Sequence, residues 1–505
     1  MTLSISARCP ESGQLGIAIS SSSMAVGSRC PWLLPGVGAV ASQNITLPSL
    51  GPQILSALEA GASVGQALKQ ALAEDRFREY RQVAAIDANG EVAAFSGEHT
   101  LGIGGTLAGD NCVAAGNMLA SHEVIAALLA FDTTSRHSNL AMIDWIADFL
   151  ADRGVASRRF YDPSGGKANL YARLGPSGGG GVMLSGHTDV VPVDGQAWSV
   201  PPFSLTERDG RYYGRGSADM KGFLACVLAA VDDFLAAPLR MPLHLAFSYD
   251  EEVGCLGVRS LVDFLQASPE KPALCLIGEP TEMQPVFGHK GKLAMRCCIE
   301  GQACHSAYAP QGVNAIRYAA RLINHLDRLG ARLARQQDSR FSPPFSTLQV
   351  GTIQGGAALN IVPQSCRFDF EIRYLPGMRP EAVTEALAAY ARRQLLPEMR
   401  RVGSGSDIQF QLLSHYPPLF SDPQSDFARW LAQWCGSDRF STVAFGTEGG
   451  LFDEMGVATL VCGPGSMAQG HKADEYISIA QTERCMTMLR QLCAWMRAEP
   501  AEPLT

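Results

Sequence analysis

The sequence predicts an α/β protein built around a doubly wound, mainly parallel sheet. In the middle of the chain short apolar strands alternate with helical segments, which is typical of such sheets. From about residue 291 the pattern changes to strand–helix–strand–helix, typical of a small inserted α+β domain. The 505 residues allow about three domains. We expect an N-terminal module over 1–120, a catalytic domain formed by 121–290 and 404–505, and an inserted domain over 291–403.

Composition and charge argue against several classes of protein. Hydrophobic residues make up 46% and charged residues 18%, as in globular proteins. The net charge of −8 argues against nucleic acid or an anionic membrane surface as a partner. Fourteen cysteines without a CxxC pair predict reduced thiols in a cytoplasmic protein. We expect neither a signal peptide nor a membrane span, because the chain shows no apolar run of the required length.

The first module alternates apolar and polar residues in strand fashion. This pattern predicts a β-hairpin over 2–21. A second hairpin is predicted over 83–95, with Asn89-Gly90 as its tight turn. Apolar residues near helical spacing predict one helix over 52–73.

The remaining elements follow from the same periodicities. Strands are predicted at 181–184, 243–247, 273–277, 292–300 and 367–374. Helices are predicted at 139–152, 220–235, 313–329 and 380–396. The carboxyl ends of the strands are where a doubly wound sheet carries its site.

Acids and histidines follow these strands or lie in glycine-rich loops. The candidate residues in these segments are His187, Asp189, Asp219, Glu251, Glu252, Glu279 and His471. Taken singly, a histidine or an acid run is more often an ordinary surface feature. Together, like charges at one sheet edge repel unless cations neutralise them. Mixed imidazole and carboxylate ligands suit zinc or related divalent metals, and a bidentate carboxylate is a natural bridge between two of them.

These segments closely resemble the M20 family of dinuclear zinc peptidases and deacylases, and within it the acetylornithine deacetylases. The resemblance runs from about Ala126 to the C-terminus. It includes, in the family's order, the five segments that carry His187 with Asp189, Asp219, Glu251 with Glu252, Glu279, and His471. Two further stretches look like the deacetylase branch: Phe131-Asp132-Thr133-Thr134-Ser135 and Phe445-Gly446-Thr447-Glu448-Gly449-Gly450-Leu451-Phe452.

The resemblance implies a role for each candidate. One metal is held by His187, Asp219 and Glu279, and the other by Asp219, Glu252 and His471, so that Asp219 bridges. Glu251 is then the general base, which takes a proton from water and returns it to the leaving amine. Asp189 orients His187 through its second ring nitrogen. The family pattern also implies a cis peptide bond between Asp219 and Met220.

The inserted domain carries further residues that match the family. The resemblance implies a ferredoxin-like lid domain that dimerises, with His305 reaching the partner's active site to stabilise the oxyanion. A structural capping role for His305 is the alternative. Asn360 and Arg373 match positions used for the substrate carboxylate, which a guanidinium pairs bidentately. Glu448 is a candidate for binding the amino group of ornithine.

Residues 1–120 are additional to an ordinary acetylornithine deacetylase. They resemble an uncharacterised family with an Ntn-hydrolase-like fold, in a truncated form. Ntn hydrolases use the residue at the mature N-terminus as nucleophile, so removal of Met1 makes Thr2 a candidate second nucleophile. The alternative is a packing or oligomerisation module in which Thr2 is an ordinary strand residue.

The sequence therefore predicts a metal-dependent amidohydrolase that releases acetate from N-acetyl-L-ornithine. We expect two divalent ions, Zn²⁺ or alternatively Co²⁺, a small N-acyl amino acid as substrate, and a homodimer formed through the inserted domain. Another M20 specificity, such as N-succinyl-diaminopimelate or a dipeptide, is the alternative among hydrolases. A non-catalytic binding or scaffold protein is the alternative from a different class.

Overall fold

A computed structural model of the chain describes residues 2–21, 25–100, 105–117 and 122–498. The chain divides into two compact units, Met1–His122 and Glu123–Thr505. The predicted boundary at residue 120 lies outside the described residues. None of the helices within the described ranges combines the length and the apolar character that crossing a membrane requires.

The first unit consists mainly of antiparallel strands. Its strands are β1 (Thr2–Arg8), β2 (Leu15–Ser21), β3 (Pro31–Leu34), β4 (Gly38–Asn44), β5 (Arg81–Asp87), β6 (Val92–Ser96), β7 (Gly105–Gly109) and β8 (Cys112–Asn117). Its helices are α1 (Leu50–Glu59) and α2 (Val64–Ala73). Both predicted hairpins are confirmed, since β1 pairs with β2 and β5 pairs with β6.

Two four-stranded sheets form the body of this unit, with strand orders β2-β1-β8-β7 and β3-β4-β5-β6. Strand β5 is buried on both faces. Val83 and Ala85 belong to the cluster that contains the two helices, whereas Ala84 and Ile86 pack with Val113 of the other sheet. This two-sided burial explains why β5 reads as an apolar run rather than as a strict alternation.

The single helix predicted over 52–73 is wrong, because two helices occupy this stretch. Gly61 adopts a φ of 90°, which a helix interior does not allow. Ser63 then caps α2: its side chain accepts a hydrogen bond from the backbone of Gln66, and the Gln66 side chain accepts one in return. The break is therefore encoded locally by a glycine and a capping box.

The second unit contains strands and helices in alternation. Its strands are β9 (Ser157–Tyr161), β10 (Ala168–Leu174), β11 (Val182–His187), β12 (Thr206–Arg208), β13 (Arg211–Tyr213), β14 (Leu243–Ser248), β15 (Leu274–Pro280), β16 (Val286–His289), β17 (Gly291–Glu300), β18 (Thr347–Gly355), β19 (Ser365–Tyr374), β20 (Asp407–Tyr416), β21 (Leu419–Phe420), β22 (Ser441–Val443), β23 (Ala458–Gly463) and β24 (Tyr476–Ser478).

Its helices include the four that the sequence predicts, two of them interrupted. They are α3 (His122–Ala130), α4 (Leu140–Ala151), α5 (Lys221–Ala229), α6 (Val231–Leu235), α7 (Arg259–Ala267), α8 (Ala315–Leu333), α9 (Glu381–Tyr390), α10 (Leu396–Arg400), α11 (Asp426–Cys435), α12 (Gly449–Glu454) and α13 (Ile479–Arg497). The predicted helix over 220–235 is divided between α5 and α6, and that over 380–396 ends in a π-helical turn before α10.

A mixed sheet forms the centre of this unit, with the order β21-β16-β23-β15-β11-β14-β10-β9 and β22 beside β16. Its four middle strands, β23, β15, β11 and β14, run parallel. Three of them, β11, β14 and β15, are buried along their whole length. The predicted parallel core is thus confirmed, with antiparallel strands added at both sides. Parallel strands end at one edge, where their following loops meet.

The inserted domain is a four-stranded antiparallel sheet of order β18-β19-β17-β20. Two helices, α8 and α9, pack in the same hydrophobic cluster as the sheet. The chain order β17-α8-β18-β19-α9-β20 gives the ferredoxin-like βαββαβ arrangement. Strand β20 runs to Tyr416, so the predicted end of this domain at residue 403 falls short of its last strand.

Candidate metal centre

The carboxyl edge of the parallel strands carries the acids and histidines that the sequence singles out. His187 is the last residue of β11, and Glu279 lies near the end of β15. Glu251 and Glu252 follow β14, and His471 lies in the loop after β23. Asp219 immediately precedes the cis peptide bond to Met220, the bond that the resemblance implies. Two strand ends and three loops therefore converge on one place.

A first group of three side chains is buried. Asp219 Oδ1 lies 3.2 Å and Glu279 Oε1 lies 3.7 Å from His187 Nε2. The three side chains are each at most 4% exposed. An imidazole nitrogen and two carboxylate oxygens this close together form a potential cation site.

A second group shares Asp219 with the first. His471 Nε2 lies 3.3 Å from Asp219 Oδ2 and 3.0 Å from Glu252 Oε2. The other oxygen of Glu252, Oε1, is buried and has no hydrogen-bond partner among the described residues. Asp219 thus offers one oxygen to each group, which is the geometry of a bridging carboxylate between two cations.

The collected acids perturb one another's protonation. Burial raises the pKa of Glu251 to about 8 and that of Glu252 to about 7, and the neighbouring carboxylates act in the same direction. Hydrogen bonds from His471 to Asp219 and Glu252 raise the pKa of the imidazole to about 10. In the absence of cations Glu251, Glu252 and His471 therefore bind protons more readily than free side chains do.

Asp189 acts differently from the role that the sequence predicts for its carboxylate. The ring nitrogen Nδ1 of His187 lies 2.8 Å from the backbone carbonyl oxygen of Asp189 but 3.6 Å from its carboxylate. The carboxylate instead accepts hydrogen bonds from the backbone N–H groups of Glu251 and Glu252, at 3.1 and 3.3 Å. The backbone of Asp189 orients the imidazole, and its side chain fixes the turn that carries the two glutamates.

The stretch Phe131–Ser135 supports this arrangement from a neighbouring segment. The hydroxyl of Ser135 donates to the Asp189 carboxylate at 2.8 Å, and that of Thr133 donates to the carbonyl of Thr188 at 2.6 Å. The buried ammonium of Lys221 donates to the Phe131 carbonyl at 2.7 Å. These contacts give the resemblance of this stretch a physical basis.

Glu475 is a site residue that the sequence analysis missed. Its carboxylate is fully buried and accepts a hydrogen bond from the backbone N–H of Asp219 at 3.0 Å. In the sequence it appears as one acid beside Asp474 in an unremarkable polar loop. Only the pairing of β24 with β13 places it beneath the Asp219 loop, and no local pattern signals that pairing.

A cavity opens beside the two groups of potential ligands. Its lining includes Asp219, Glu251, Glu252, Glu279 and His471 on one side, and Lys292, Arg373 and Tyr416 on the other. The guanidinium of Arg373 donates to the Tyr416 hydroxyl at 2.7 Å and to Glu371 at 3.1 Å. Lys292 Nζ lies 3.7 Å from Glu371. Arg373, which the resemblance implies for the substrate carboxylate, thus lines this cavity.

The remaining predicted residues lie away from this lining. Glu448 is 2% exposed, and its Oε1 has no hydrogen-bond partner in the described part of the chain. His305 and Asn360 are exposed. His305 forms a β-bridge with Ile361, and its Nδ1 accepts a hydrogen bond from the backbone of Ala307. Within this chain His305 therefore has the capping contact that the alternative interpretation requires.

Thr2 lies in the first unit at the start of β1. Its hydroxyl forms a 2.9 Å hydrogen bond with that of Ser21, and its side chain lines a cavity together with Arg29, Cys30 and Thr46. Met1, whose removal the predicted nucleophile requires, lies outside the described residues.

Comparison with protein families matches both parts of the chain. Residues 2–143 match a family of unknown function, DUF1028. Residues 183–494 match the peptidase family M20/M25/M40.

Curated relatives resemble the second part. The chain is 36% identical over 381 residues to a Myxococcus xanthus protein named acetylornithine deacetylase, covering 74% of this chain and 97% of the relative. It is 35% identical over 366 residues to the protein of that name from Proteus mirabilis, covering 72% and 92%.

Solved structures share the fold. An M20 family metallo-carboxypeptidase from Sulfolobus solfataricus superimposes with a TM-score of 0.60 at 18% identity, covering 75% of this chain and all of that one. Human carnosine dipeptidase 1 gives a TM-score of 0.56 at 17% identity, covering 74% of this chain and 96% of that one. Taken with the family match and the identity to the deacetylases, this likeness shows that the chain belongs to the M20 peptidase family of hydrolases.

Proposed function

We propose that the chain removes the acetyl group from N-acetyl-L-ornithine, giving L-ornithine and acetate. The observation that carries this proposal is the pair of ligand groups sharing Asp219, with the Glu251 carboxyl beside them. The names of the relatives support the choice of substrate. The intact ligand groups argue against a non-catalytic scaffold.

The two groups fit a pair of divalent cations. The unpartnered oxygen of Glu252 and the mixed imidazole and carboxylate donors suit Zn²⁺, with Co²⁺ as an alternative. His187, Asp219 and Glu279 hold one ion, and Asp219, Glu252 and His471 the other. When bound, such ions lower the pKa of a water molecule and polarise the amide carbonyl.

Glu251 is the general base in this proposal. Its Oε1 accepts a 3.4 Å hydrogen bond from the Cys255 thiol. Glu251 belongs to neither ligand group, so its carboxylate remains available to the substrate. It takes a proton from the attacking water and returns it to the leaving amine.

Arg373 binds the carboxylate of the substrate amino acid in this proposal. Its guanidinium lines the cavity and is already oriented by Tyr416 and Glu371, so little side-chain freedom is lost on binding. Asn360 contributes from the inserted domain. The burial of Glu448 leaves its predicted contact with an amino group without a supporting observation.

A specific observation favours a second candidate, an N-acyl substrate with more than one carboxylate, such as N-succinyl-diaminopimelate, which carries three. Lys292 lines the same side of the cavity as Arg373, and Glu371 lies between the two cationic groups. The acids that line the cavity are the ligands and Glu251. The two cationic groups of the cavity wall therefore suit a substrate that carries a further carboxylate.

We also propose that the inserted domain forms a homodimer. It exposes large apolar side chains, among them Leu359, which is fully exposed, Ile353 at 51% and Tyr308 at 60%. Strand β18 is an edge strand, whose free backbone groups favour pairing with another chain. In such a dimer His305 donates to the developing oxyanion in the partner's site.

The first unit is proposed as an Ntn-like module in which Thr2 is a second nucleophile. The cavity beside Thr2 and the two face-to-face sheets support this assignment. We propose the cytoplasm as the location of the chain, because all fourteen cysteines are free, as is usual in a reducing compartment.

Replacing the proposed base tests the mechanism. Glu251→Gln should lower kcat by about 10²- to 10⁴-fold, because the amide accepts no proton. Bound zinc, measured by mass spectrometry of the metal content, should be unchanged because Glu251 is not a ligand. Glu454→Gln, an acid in α12, serves as the control and should retain activity. Turnover by Glu251→Gln at the wild-type rate would remove the proposed base.

A substrate panel distinguishes the two candidates. The values of kcat/KM are measured for N-acetyl-L-ornithine, N-succinyl-diaminopimelate and N-acetyl-L-glutamate. We expect the highest value for N-acetyl-L-ornithine. If Lys292 binds a further carboxylate, Lys292→Met should lower kcat/KM for N-succinyl-diaminopimelate and N-acetyl-L-glutamate about tenfold or more and spare N-acetyl-L-ornithine. No amide hydrolysis with any of these N-acyl amino acids would contradict the proposed function itself.

The raised pKa values predict how pH affects the metal-free protein. Because the pKa values of His471, Glu251 and Glu252 lie above their ordinary values in the folded chain, folding takes up protons. Their contribution to stability is present at low pH and lost as pH rises through the raised values. The free energy of unfolding of the chelated protein should therefore fall between about pH 5 and pH 9.

Added zinc should reduce this pH dependence, because the ligands then bind the cation instead of protons. Denaturant unfolding at several pH values measures both effects. Glu252→Gln should flatten the profile of the chelated protein, whereas Glu454→Gln should leave it unchanged. A profile that rises toward high pH would contradict the electrostatic description of the cluster.

Light scattering after gel filtration tests the dimer. We expect twice the 54.0 kDa mass of one chain. Leu359→Asp should shift the mass toward the monomer and lower kcat, because His305 then reaches no partner site. Leu235→Asp, at an exposed leucine outside the inserted domain, is the control. A monomeric wild type with full activity would exclude the trans role of His305.

A further inference from the structure

Glu475 is a buried carboxylate whose hydrogen bonds are all directed at one loop. Its Oε1 accepts from the backbone N–H groups of Ala218 and Asp219, at 2.9 and 3.0 Å. Its Oε2 accepts from the N–H of Gly216 at 3.0 Å and from the guanidinium of Arg215 at 2.7 Å. Four donors satisfy this carboxylate, and in return they fix the backbone that ends at the shared ligand.

The guanidinium of Arg215 continues the network toward the second histidine. It is 1% exposed, and its Nη2 donates to Gln196 Oε1 at 2.5 Å. The amide nitrogen of Gln196 donates in turn to the backbone carbonyl of His471 at 3.0 Å. Trp198 flanks this contact, with its indole N–H donating to Gln196 Oε1 and its ring 5.0 Å from the Arg215 guanidinium.

These contacts join two ligands that are distant in the sequence. Asp219 is attached through its backbone to Glu475, and His471 is attached through its carbonyl to Gln196, with Arg215 between them. His471 adopts a left-handed backbone conformation with φ of 63°, which a non-glycine residue keeps only when its surroundings fix it. The hydrogen bond at its carbonyl is such a restraint.

The two cation positions depend on this network to different degrees. His187 and Glu279 belong to fully buried central strands, so their positions are set by the sheet itself. His471 lies in a loop, and its side chain is 53% exposed. The position formed by Asp219, Glu252 and His471 therefore has the less rigid support.

We infer that Gln196, Arg215 and Glu475 are positioning residues that hold His471 against Asp219 and thereby determine the affinity for the second cation. The inference rests on the proposed metal centre. It predicts that loss of the network weakens the second ion more than the first, because the sheet supports the first independently.

Measurement of metal affinity on the full chain tests the inference. Zinc is titrated into the chelated protein, and bound metal per chain is determined by equilibrium dialysis. Wild-type protein should bind two ions. Gln196→Met should weaken the second ion by about 10- to 100-fold, the usual effect of losing a partner of a metal ligand, and leave the first unchanged.

Two further variants locate the effect. Gln196→Glu keeps an acceptor for Arg215 but has no N–H for the His471 carbonyl, so it should weaken the second ion as Gln196→Met does. Gln284→Met is the matched control, because Gln284 is likewise half-buried and accepts one side-chain hydrogen bond, from Ser437. It should bind both ions as the wild type does.

The outcomes separate the inference from the function on which it rests. A wild-type chain that binds no zinc would contradict the proposed metal centre. A wild-type chain that binds two ions, with Gln196→Met equal to it at both positions, would overturn the inference alone. Equal weakening of both ions, or a fall in the unfolding temperature of metal-free Gln196→Met below that of Gln284→Met, would show a merely structural role and also overturn it.

Discussion

Repulsion between carboxylates at one edge of the central sheet constrains the whole second unit. Asp189, Asp219 and Glu279 are buried there, and Glu251 and Glu252 are half-buried beside them. Burying like charges without compensation costs several kcal/mol for each ion in real proteins. The cluster is tolerable because histidines, backbone amides and, in the proposed centre, cations share the compensation. Its chemistry and its stability therefore have the same origin.

The acids divide into two kinds by the groups that compensate them. Asp189 and Glu475 direct their oxygens to backbone N–H groups, and each thereby fixes a loop that carries ligands. Glu252 and Glu279 keep oxygens facing the histidines and the cavity. An acid whose oxygens accept hydrogen bonds from backbone amides has no need of a cation. The hydrogen-bond partners of each acid therefore distinguish the residues that fix a loop from the candidate ligands.

The same division explains what the sequence predicts and what it misses. His187, Glu252 and Glu279 lie at or just after the ends of apolar strands, and parallel strands end together, so the convergence of these three is readable from the pattern alone. The support from Glu475 depends on the pairing of β24 with β13. These strands are distant in the sequence: the hydrogen bond between Glu475 and Arg215 joins residues 260 positions apart. Periodicity indicates the type of an element better than its ends. It therefore does not predict the break at Gly61 or the extension of the inserted domain through its last strand, β20.

Substrate recognition is the part of the site that backbone architecture determines least. The candidate ligands His187, Glu252 and Glu279 lie on or just after buried strands of the central sheet. Lys292 and Arg373 belong instead to the inserted sheet and line the cavity from there. Changing a single surface-facing residue on β17 or β19 alters the charge opposite the catalytic groups without disturbing the central sheet. Amide hydrolysis can thus be retained while the substrate changes. For this reason Glu371 matters as much as the two cations: by pairing with both, it sets how much positive charge remains for a carboxylate.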